Sequence, residues 1–485
     1  MIKRTLGAIA DMCGGTLTNN RFAEIAITGV TRDSRDVQPG QLYIPLAGYN
    51  FDGHDFAANA LAGGAAALLW QSNRSIPEAL IDEPLLLVDD PLTALQRLAA
   101  SYREELNLRV VGITGSNGKT TTKDMVASVL SGVFRVHKTE GNLNNHIGLP
   151  ITVLQLDESV DVVVLEMGMS GFGEIELLTC IAKPDIVVIT NIGDAHLLQL
   201  GSREGIAKAK LEIVAGLREG GLLLFNGDEP LLHAGVEALN LPDTLRRQTF
   251  GLGQGNDWNA VHVEVDAISS AFDVNGLESF NRLSLPVPGH HNVSNALAAV
   301  AVGRALGIPA EKIREGFEGL RLTGMRIEPV RAYNGAMVLN DAYNANPTAV
   351  RAAVDLVAQL TGYRRKWLVL GDMLELGAQD AELHADIGDY ITPYKADRLL
   401  TYGALSRHTA SAASKSFEKN AGAEESSGTL SDPSSLQTEA PVVAFEDKEQ
   451  LIECLRASLT PEDLVLVKGS RGMRMEEIVH ALQRV

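Results

Sequence analysis

The sequence of 485 residues lacks the features that mark several classes of protein. No apolar run reaches the roughly 18 residues that a membrane-spanning helix needs, and no apolar secretory segment follows Met1. The only three cysteines, Cys13, Cys180 and Cys454, are too widely separated for a disulfide framework or a metal knuckle. We therefore expect a cytoplasmic protein that is not inserted into a membrane.

Basic residues are also in short supply. The chain has 42 Lys and Arg against 61 Asp and Glu, which gives a formal net charge of −19. Because a nucleic-acid interface needs clustered positive charge and these basic residues do not cluster, we expect no nucleic-acid partner. The length, by contrast, exceeds what one hydrophobic core supports and predicts about three domains.

The most informative segment present is 113–122, which reads Ile-Thr-Gly-Ser-Asn-Gly-Lys-Thr-Thr-Thr. It lies between an apolar run, predicted to be a strand, and a predicted helix at 123–130. Backbone N–H groups and the helix N-terminus in such a turn bind phosphate, while Lys119 would reach the β- and γ-phosphates and Thr120 a Mg²⁺ ion. Ile113 stands where the usual motif has glycine, and an ordinary glycine-rich turn is the alternative. We predict that this loop binds a nucleoside triphosphate.

The order of predicted strands and helices indicates an α/β protein of three domains. We expect a small N-terminal α/β domain at 1–90 and a central, doubly wound, P-loop ATPase-like sheet at 91–322. A Rossmann-like C-terminal domain would follow at 323–485. Residues 411–440 are rich in Ser, Ala, Glu and Gly and are predicted to be a mobile insertion.

The candidate strands of the last two domains are mostly continuous apolar runs, as expected for parallel strands covered on both faces. They are 110–113, 161–166, 186–190 and 221–225 in the central domain, and 337–340, 366–370, 398–402 and 464–468 in the C-terminal domain. Residues 257–288 resemble an antiparallel hairpin region, and 290–306 a helix.

Several polar side chains follow the predicted central strands, at the edge where open α/β sheets bind ligands. Glu166 ends one strand and is either a Mg²⁺ ligand or a solvated end residue. His196 follows the next strand and is either a second cation ligand or a loop residue. Lys208 and Lys210 lie on one predicted helix and by themselves would be solvated charges.

Two further loops carry amide groups. Residues 140–150 are rich in asparagine, and 340–347 read Asn-Asp-Ala-Tyr-Asn-Ala-Asn-Pro between a strand and a helix. Each loop would either contact a ligand or serve only as a turn or helix cap.

Taken together with the phosphate loop, the segments 166–169, 341–347, 371–377 and 468–472 resemble the Mur ligase family. These are ATP-dependent, amide-bond-forming enzymes of peptidoglycan precursor assembly, and the resemblance covers essentially the whole chain. Within the family, the chain is similar to members that join D-alanyl-D-alanine to UDP-N-acetylmuramoyl-tripeptide.

The resemblance implies a set of site residues. ATP would be bound by Gly115, Ser116, Asn117, Gly118, Lys119, Thr120, Thr121, Asn292, Asn295, Arg326 and Asp341. Two Mg²⁺ ions would be held by Thr120, Glu166, His196 and Lys210, the last carbamylated by CO₂. Substrate would be bound by Ser34, Arg35, Asp52, His54, Asn142, Asn144, Asn145, Asn344 and Asn346. Lys119, Lys210 and His196 would be catalytic.

The chemistry implied is phosphorylation of the tripeptide carboxylate by ATP, followed by attack of the D-alanyl-D-alanine amine on the acyl phosphate. A carboxylate nucleophile needs no general base, which fits the absence of an evident Ser-His-Asp set or acid pair in the sequence. We expect a monomer. The alternatives are a Mur-type ligase that adds a different amino acid, a nucleotide-gated regulatory protein, and a small-molecule kinase.

Overall fold

The computed structural model describes residues 1–48, 51–277, 280–424 and 440–484. Its strands form four sheets of two, five, nine and six strands, which agrees with the predicted α/β class. No helix in these ranges is both long enough and apolar enough to cross a membrane.

The first unit contains seven short strands. They are β1 (Lys3–Thr5), β2 (Thr16–Leu17), β3 (Ala26–Thr28), β4 (Val30–Thr31), β5 (Leu42–Tyr43), β6 (Ala67–Gln71) and β7 (Leu85–Val88). The five-stranded sheet has the order β2-β7-β6-β5-β4, with β4 to β7 parallel, while β1 pairs with β3. The helices are Leu6–Cys13 and Ala57–Ala62, with 3₁₀ turns at Asn20–Phe22, Gly53–Phe56 and Glu78–Leu80.

Helix Pro91–Glu105 joins the first unit to the second. Pro91 occupies its first turn and the Asp90 carboxylate accepts the Thr93 N–H, the pattern that starts a helix sharply. Its apolar face carries Leu95 and Leu98 into a single hydrophobic core that continues from the first unit to one face of the central sheet.

The central unit is built on the nine-stranded sheet, in the order β16-β15-β14-β13-β12-β11-β8-β10-β9. Its strands are β8 (Arg109–Thr114), β9 (Val136–Lys138), β10 (Val162–Glu166), β11 (Ile186–Ile189), β12 (Leu222–Asn226), β13 (Arg246–Gly251), β14 (Trp258–Val265), β15 (Ser270–Val274) and β16 (Leu283–Leu285). β8 to β14 pair in parallel, whereas β14, β15 and β16 form the predicted antiparallel region.

Helices cover both faces of this sheet. They are Lys119–Ser131, Gly148–Leu154, Glu174–Ala182, Leu197–Leu200, Arg203–Leu211, Pro230–Ala238, His290–Ala305 and Ala310–Glu318, with a 3₁₀ turn at Glu212–Gly216. Because both faces are buried, the central strands are nearly continuous apolar runs, which is why the sequence identified them.

The third unit has the sheet order β17-β18-β22-β19-β20-β21, parallel except for β17. Its strands are β17 (Glu328–Arg331), β18 (Met337–Asp341), β19 (Lys366–Gly371), β20 (Arg398–Tyr402), β21 (Val442–Phe445) and β22 (Leu464–Lys468). The helices are Pro347–Gln359, Asp380–Tyr390, Ser406–Glu424, Lys448–Ser458 and Glu476–Gln483, with 3₁₀ turns at Gly377–Gln379 and Arg471–Met473.

The prediction of a mobile insertion at 411–440 is wrong for residues 411–424. Helix Ser406–Glu424 extends through it and buries Ala413 and Phe417 in the core of the third unit. The helix approaches helix Asp380–Tyr390 so closely that a Cβ on Gly388 would lie 2.3 Å from the Thr409 carbonyl oxygen. Small alanines allow this contact, so the low content of bulky side chains reflects close helix packing. Residues 425–439 lie outside the described residues.

Candidate active site

The phosphate loop has the predicted strand–turn–helix geometry, between β8 and helix Lys119–Ser131. Gly115 has φ +143°, and a Cβ there would lie 1.9 Å from Thr190 Oγ1. Gly118 has φ +79°, and a Cβ there would lie 2.7 Å from Asn295 Oδ1. Both positions therefore require glycine, for conformation and for space.

Lys119 folds back over this loop. Its Nζ donates hydrogen bonds to the carbonyl oxygens of Gly115, at 2.7 Å, and Ser116, at 3.2 Å. Burial lowers the pKa of the Lys119 ammonium, Glu166 raises it, and Arg326 lowers it, with a net shift below its ordinary value. The ammonium is thus a desolvated donor directly above the turn.

Thr120 is the centre of a polar cluster beside the loop. Its Oγ1 donates to Glu166 Oε2 at 2.8 Å and accepts from Arg326 Nη2 at 2.8 Å. The other oxygen of Glu166 accepts from Asn144 Nδ2 at 2.8 Å, and the backbone N–H of Glu166 donates to Thr139 Oγ1. A buried carboxylate next to a hydroxyl at the end of a parallel strand suits a divalent cation that also binds phosphate.

Of the four metal residues predicted from the sequence, Thr120 and Glu166 are in direct contact. Across the described ranges, no three His, Cys, Asp or Glu side chains converge into a metal-binding group. Glu166 with Thr120 nonetheless fits Mg²⁺, which in nucleotide sites takes one or two carboxylates and completes its shell with phosphate and water. The Nδ1 of His196 lies 3.2 Å from Glu375 Oε2 of the third unit.

Lys210 is buried, with 1% of its surface exposed, on helix Arg203–Leu211. Its ammonium makes no hydrogen bond or ion pair with any described residue. Burial, followed by the nearby Lys119, places the pKa of Lys210 well below its ordinary value, and burial with Lys210 and Lys119 also lowers the pKa of His196. Lys208, two positions earlier, is exposed, as predicted for a solvated helix charge.

The predicted adenine-contacting helix, His290–Ala305, begins next to the loop. Asn295 lies against Gly118, and its Nδ2 donates to Asn292 Oδ1 at 3.4 Å. Asn292 Nδ2 in turn donates to the Pro288 carbonyl oxygen at 2.7 Å. The two asparagines therefore fix the start of this helix over the phosphate loop.

Arg326 reaches the loop from the third unit, as predicted. Its guanidinium lies 4.1 Å from the centre of the Tyr343 ring, and its Nε is buried with no partner among the described residues. Its neighbours Met325 and Ile327 have φ of +63° and +52°, a conformation that non-glycine residues rarely adopt.

Asp341 is placed differently from Arg326. Its Oδ2 accepts from Lys468 Nζ at 2.6 Å. The charges of Asp341 and Lys468 act on His291, whose pKa burial lowers to about 4. Asp341 thus faces the start of helix His290–Ala305 and makes no hydrogen bond to the phosphate loop.

The predicted asparagines divide into two groups. Asn144 holds Glu166, and Asn346 forms reciprocal amide hydrogen bonds of 2.7 and 3.3 Å with Asn117 of the loop. Asn145 Oδ1 instead accepts the N–H groups of Ile147 and Gly148 within its own loop, and Asn346 also caps helix Pro347–Gln359. Asn142 is exposed, and Asn344 contributes only its carbonyl oxygen, to Lys468.

In the first unit, Arg35 is exposed and forms a bidentate pair with Asp33, at 2.8 and 2.7 Å. Ser34 lies half-buried in the same turn. Neither side chain hydrogen-bonds to the phosphate loop.

Asp52 and His54 form a more enclosed group in that unit. Asp52 Oδ1 accepts from the His54 backbone and contacts its Nδ1 at 2.8 Å, while Arg74 pairs with the other carboxylate oxygen. The His54 ring meets Trp70 edge-on, with 4.9 Å between ring centres. The Nε2 of His54 and the Nε1 of Trp70 are buried without partners among the described residues.

Sequence reasoning missed residues whose partners come from distant parts of the chain. Asn191 Oδ1 accepts the N–H of Asn117 at 2.9 Å, Glu375 contacts His196, and Lys468 pairs with Asp341. Glu375 and Lys468 lie in the segments 371–377 and 468–472, and Asn191 directly follows the predicted strand 186–190. The carboxyl ends of parallel strands meet at one edge of each sheet, and this alignment was the signal that could have identified the three residues.

Comparison with known proteins gives matches along the whole chain. Residues 26–103 match the description "Mur ligase family, catalytic domain", residues 113–303 "Mur ligase middle domain" and residues 325–471 "Mur ligase, glutamate ligase domain". The chain is 46% identical over 482 residues to the UDP-N-acetylmuramoyl-tripeptide–D-alanyl-D-alanine ligase of Bacillus subtilis, covering 99% of both proteins. The chain belongs to the Mur ligase family. The resemblance stated from the motifs is confirmed.

Solved structures give the same result for the fold. A crystal structure of MurF from Acinetobacter baumannii matches with a TM-score of 0.85 at 29% identity, covering 100% of this chain and 99% of that one. MurF ligase from Thermotoga maritima in complex with ADP matches with a TM-score of 0.79 at 26% identity, over 94% and 97%. These whole-chain matches confirm the predicted fold class of this Mur ligase family member.

Proposed function

We propose that the protein joins D-alanyl-D-alanine to UDP-N-acetylmuramoyl-tripeptide, with hydrolysis of ATP to ADP and phosphate, in cytoplasmic peptidoglycan precursor synthesis. The observation that carries the proposal is Thr120, held between Glu166 of its own unit and Arg326 of the third. The chain with this arrangement matches the UDP-N-acetylmuramoyl-tripeptide–D-alanyl-D-alanine ligase of Bacillus subtilis along 99% of its length.

The phosphate loop binds ATP through its backbone N–H groups and Lys119, and Asn292 and Asn295 place the adenine. Glu166 and Thr120 would hold Mg²⁺, which supplies positive charge for the anionic phosphoryl group. Arg326 Nη2 donates to Thr120 Oγ1 and its Nε has no partner among the described residues, so we expect the guanidinium to bind a phosphate oxygen. Lys119 and Arg326 together stabilise the charge that develops during phosphoryl transfer.

The reaction needs two transfers. The tripeptide carboxylate oxygen attacks the γ-phosphorus of ATP, and ADP leaves, which gives an acyl phosphate. The D-alanyl-D-alanine amine then attacks the acyl carbon, loses a proton, and inorganic phosphate leaves. Contacts between the third unit and the loop exclude water, which would otherwise hydrolyse the acyl phosphate.

Lys210 is proposed to carry a carbamate. Its neutral amine, which the lowered pKa of Lys210 favours, would attack the carbon of CO₂ and release one proton, so that a buried amine with no hydrogen-bond partner among the described residues becomes an anion. A carboxylate-like group suits Mg²⁺ far better than an ammonium does. With His196 it would serve a second cation next to the Glu166 and Thr120 pair.

The remaining predicted residues are proposed to bind the other substrates. Residues 1–90 would hold the UDP moiety, through Ser34, Arg35, Asp52 and His54. Asn142 and Asn344 would contact the peptide, whereas Asn145 supports its own loop through two backbone N–H groups. The monomeric state and the boundaries 1–90, 91–322 and 323–485 stay predictions.

The test is a phosphate-release assay that crosses several UDP-muramyl peptides with D-alanyl-D-alanine and single amino acids. We expect release only with a UDP-muramyl tripeptide and the dipeptide together. Release with a single amino acid would indicate a different Mur-type ligase. Slow release with neither would favour a nucleotide-gated regulator, and a stable phosphorylated product would favour a kinase.

A further inference from the structure

Asp124 is a buried carboxylate one turn beyond Thr120 on helix Lys119–Ser131, with 0% of its side chain exposed. Its Oδ1 accepts from Lys138 Nζ at 2.7 Å and lies 3.6 Å from Lys123 Nζ. Its Oδ2 accepts the backbone N–H of Thr323 at 2.8 Å. Burial acts to raise the pKa of Asp124, but Lys123, Lys138 and Thr323 lower it to below its ordinary value. The carboxylate therefore stays ionised.

Thr323 lies in the irregular segment between helix Ala310–Glu318 of the central unit and strand β17 of the third unit. Arg326 follows three residues later. A hydrogen bond that fixes Thr323 thus restricts the position from which Arg326 approaches Thr120.

The segment around Arg326 is strained. Met325 and Ile327 both have positive φ, which is unfavourable for a β-branched residue such as Ile327. Such a conformation persists only where the surroundings hold it. On the third-unit side, Glu328 Oε2 accepts the Met325 N–H at 3.0 Å. On the central side, the Asp124 bond to Thr323 holds the other end of the segment.

The contacts of Asp124 close a ring that includes the proposed metal carboxylate. Lys123 Nζ donates to the Thr139 carbonyl oxygen at 2.8 Å, and Thr139 Oγ1 accepts the Glu166 N–H at 3.0 Å. The contacts run in order from Thr120 through Glu166, Thr139, Lys123 and Asp124 to Thr323. The ring then follows the chain from Thr323 to Arg326, which contacts Thr120. The phosphate loop and the inter-unit linker are therefore anchored on one helix.

We propose that Asp124 is a positioning residue, which fixes the linker through Thr323 so that Arg326 reaches the phosphate end of the ATP site. This inference rests on the proposed function and adds a residue to it. Asp124 does not touch substrate. Its loss leaves the ATP pocket of the central unit in place but lets the linker, and with it Arg326, depart from the productive position.

The experiment compares Asp124→Asn with the matched control Asp463→Asn in the full-length protein. Asp463 is also 0% exposed, pairs with Arg365 at 2.8 Å and accepts a backbone N–H, from Thr460, but it lies in the third unit outside the site. Each variant is also made with Arg326→Ala. The readouts are kcat, Kd for the fluorescent nucleotide mant-ADP, melting temperature, and hydrogen exchange of peptides that contain the Thr323 amide.

We expect Asp124→Asn to lower kcat by about 10- to 100-fold, the usual effect of a misplaced catalytic group. The Kd for mant-ADP should stay within about threefold, because the loop that binds it is unchanged. Exchange around Thr323 should accelerate. With Arg326→Ala already present, Asp124→Asn should have little further effect on kcat, since Asp124 acts on the reaction through Arg326. Asp463→Asn should change only the melting temperature.

Unchanged kcat in Asp124→Asn, equal losses with and without Arg326→Ala, or a lost mant-ADP site with intact kcat would each overturn the proposal. If Asp124→Asn does not melt cooperatively, Lys138→Met, which removes a half-exposed partner of the carboxylate, is tested by the same criteria. A wild-type protein that ligates no substrate would refute the proposed function instead, and exchange at Thr323 would still report on the Asp124 contact.

Discussion

The central unit meets its two neighbours through opposite kinds of surface. Toward the first unit, Leu98 and Tyr102 of helix Pro91–Glu105 lie in one continuous apolar core, in which the Tyr102 hydroxyl donates to the Leu156 carbonyl oxygen. Toward the third unit, the contacts are mainly single polar pairs, such as Arg326 with Thr120 and Asn346 with Asn117.

The two junctions therefore have different strengths and different uses. Burial of apolar surface stabilises a junction by about 25 cal/mol per Å², and this free energy is lost when the junction opens to water. A polar pair contributes only about 0.5–1.5 kcal/mol net, because water replaces it on separation. Val265 and Ala267 add a small apolar contact to the third unit. We therefore predict that the first unit stays fixed to the central one, while the third unit docks reversibly over the phosphate loop.

The largest expected effect is at the phosphate loop, on the central side of the polar junction. Lys119→Ala should lower kcat by about 10²- to 10³-fold or more, since the substitution removes the ammonium that stabilises the negatively charged phosphoryl group during its transfer. The melting temperature should stay near that of the wild type, because the hydrogen bonds of Lys119 to described residues are confined to its own loop. Steady-state ligation kinetics and thermal melts measure both. Turnover close to the wild-type rate would remove the loop from the mechanism.

Lys210→Ala should be almost as damaging. The proposed carbamate supplies an anionic oxygen ligand, so acetate at high concentration should restore part of the activity by filling the vacated site. Lys208→Ala is the matched control on the same helix and should behave nearly as wild type, since that side chain is exposed. Full activity in Lys210→Ala, or an essential Lys208, would contradict the carbamate assignment.

A pair of truncations separates the two junctions directly. Leu98→Ala, in the apolar core, should cost about 2–5 kcal/mol of unfolding free energy and leave kcat of the folded protein unchanged. Asn346→Ala should cost only about 1 kcal/mol, as a lost helix cap, and should lower kcat. Urea unfolding and ligation assays on both variants test this. The comparison fails if Leu98→Ala impairs kcat more than Asn346→Ala does.

The smallest effect on kcat and melting temperature is expected in the third unit. Replacing 425–439 with a short Gly-Ser linker should leave kcat and the melting temperature nearly unchanged, because this stretch has few apolar residues to bury. Phe417→Ala is the contrast and should cost about 3–5 kcal/mol, since Phe417 is buried. A large drop in melting temperature on deletion would show that 425–439 packs against the unit.

The sequence predicted best what depends on local pattern. β10 and β22 are continuous apolar runs, and the loop at 115–118 carries its glycines where conformation requires them. Helix Ser406–Glu424 was missed because its buried face is mostly alanine, which resembles a solvated segment in composition. Asp124 and Glu375 were missed because their partners are 199 and 179 residues away in the chain. Such pairs come together only in the folded chain.

The most direct test of this account is a pair of spin-label distances in the full-length protein, with Cys180 and Cys454 replaced by serine. One label pair, at Asp11 and Glu237, spans the apolar junction, and the other, at Glu237 and Glu449, spans the polar one. All three positions are exposed. We predict that the first distance is narrow and unchanged by nucleotide. The second should be broad and longer without nucleotide, then shorten and narrow with a non-hydrolysable ATP analogue and UDP-muramyl tripeptide. Two unchanged distances, or a change across the apolar junction alone, would contradict the account.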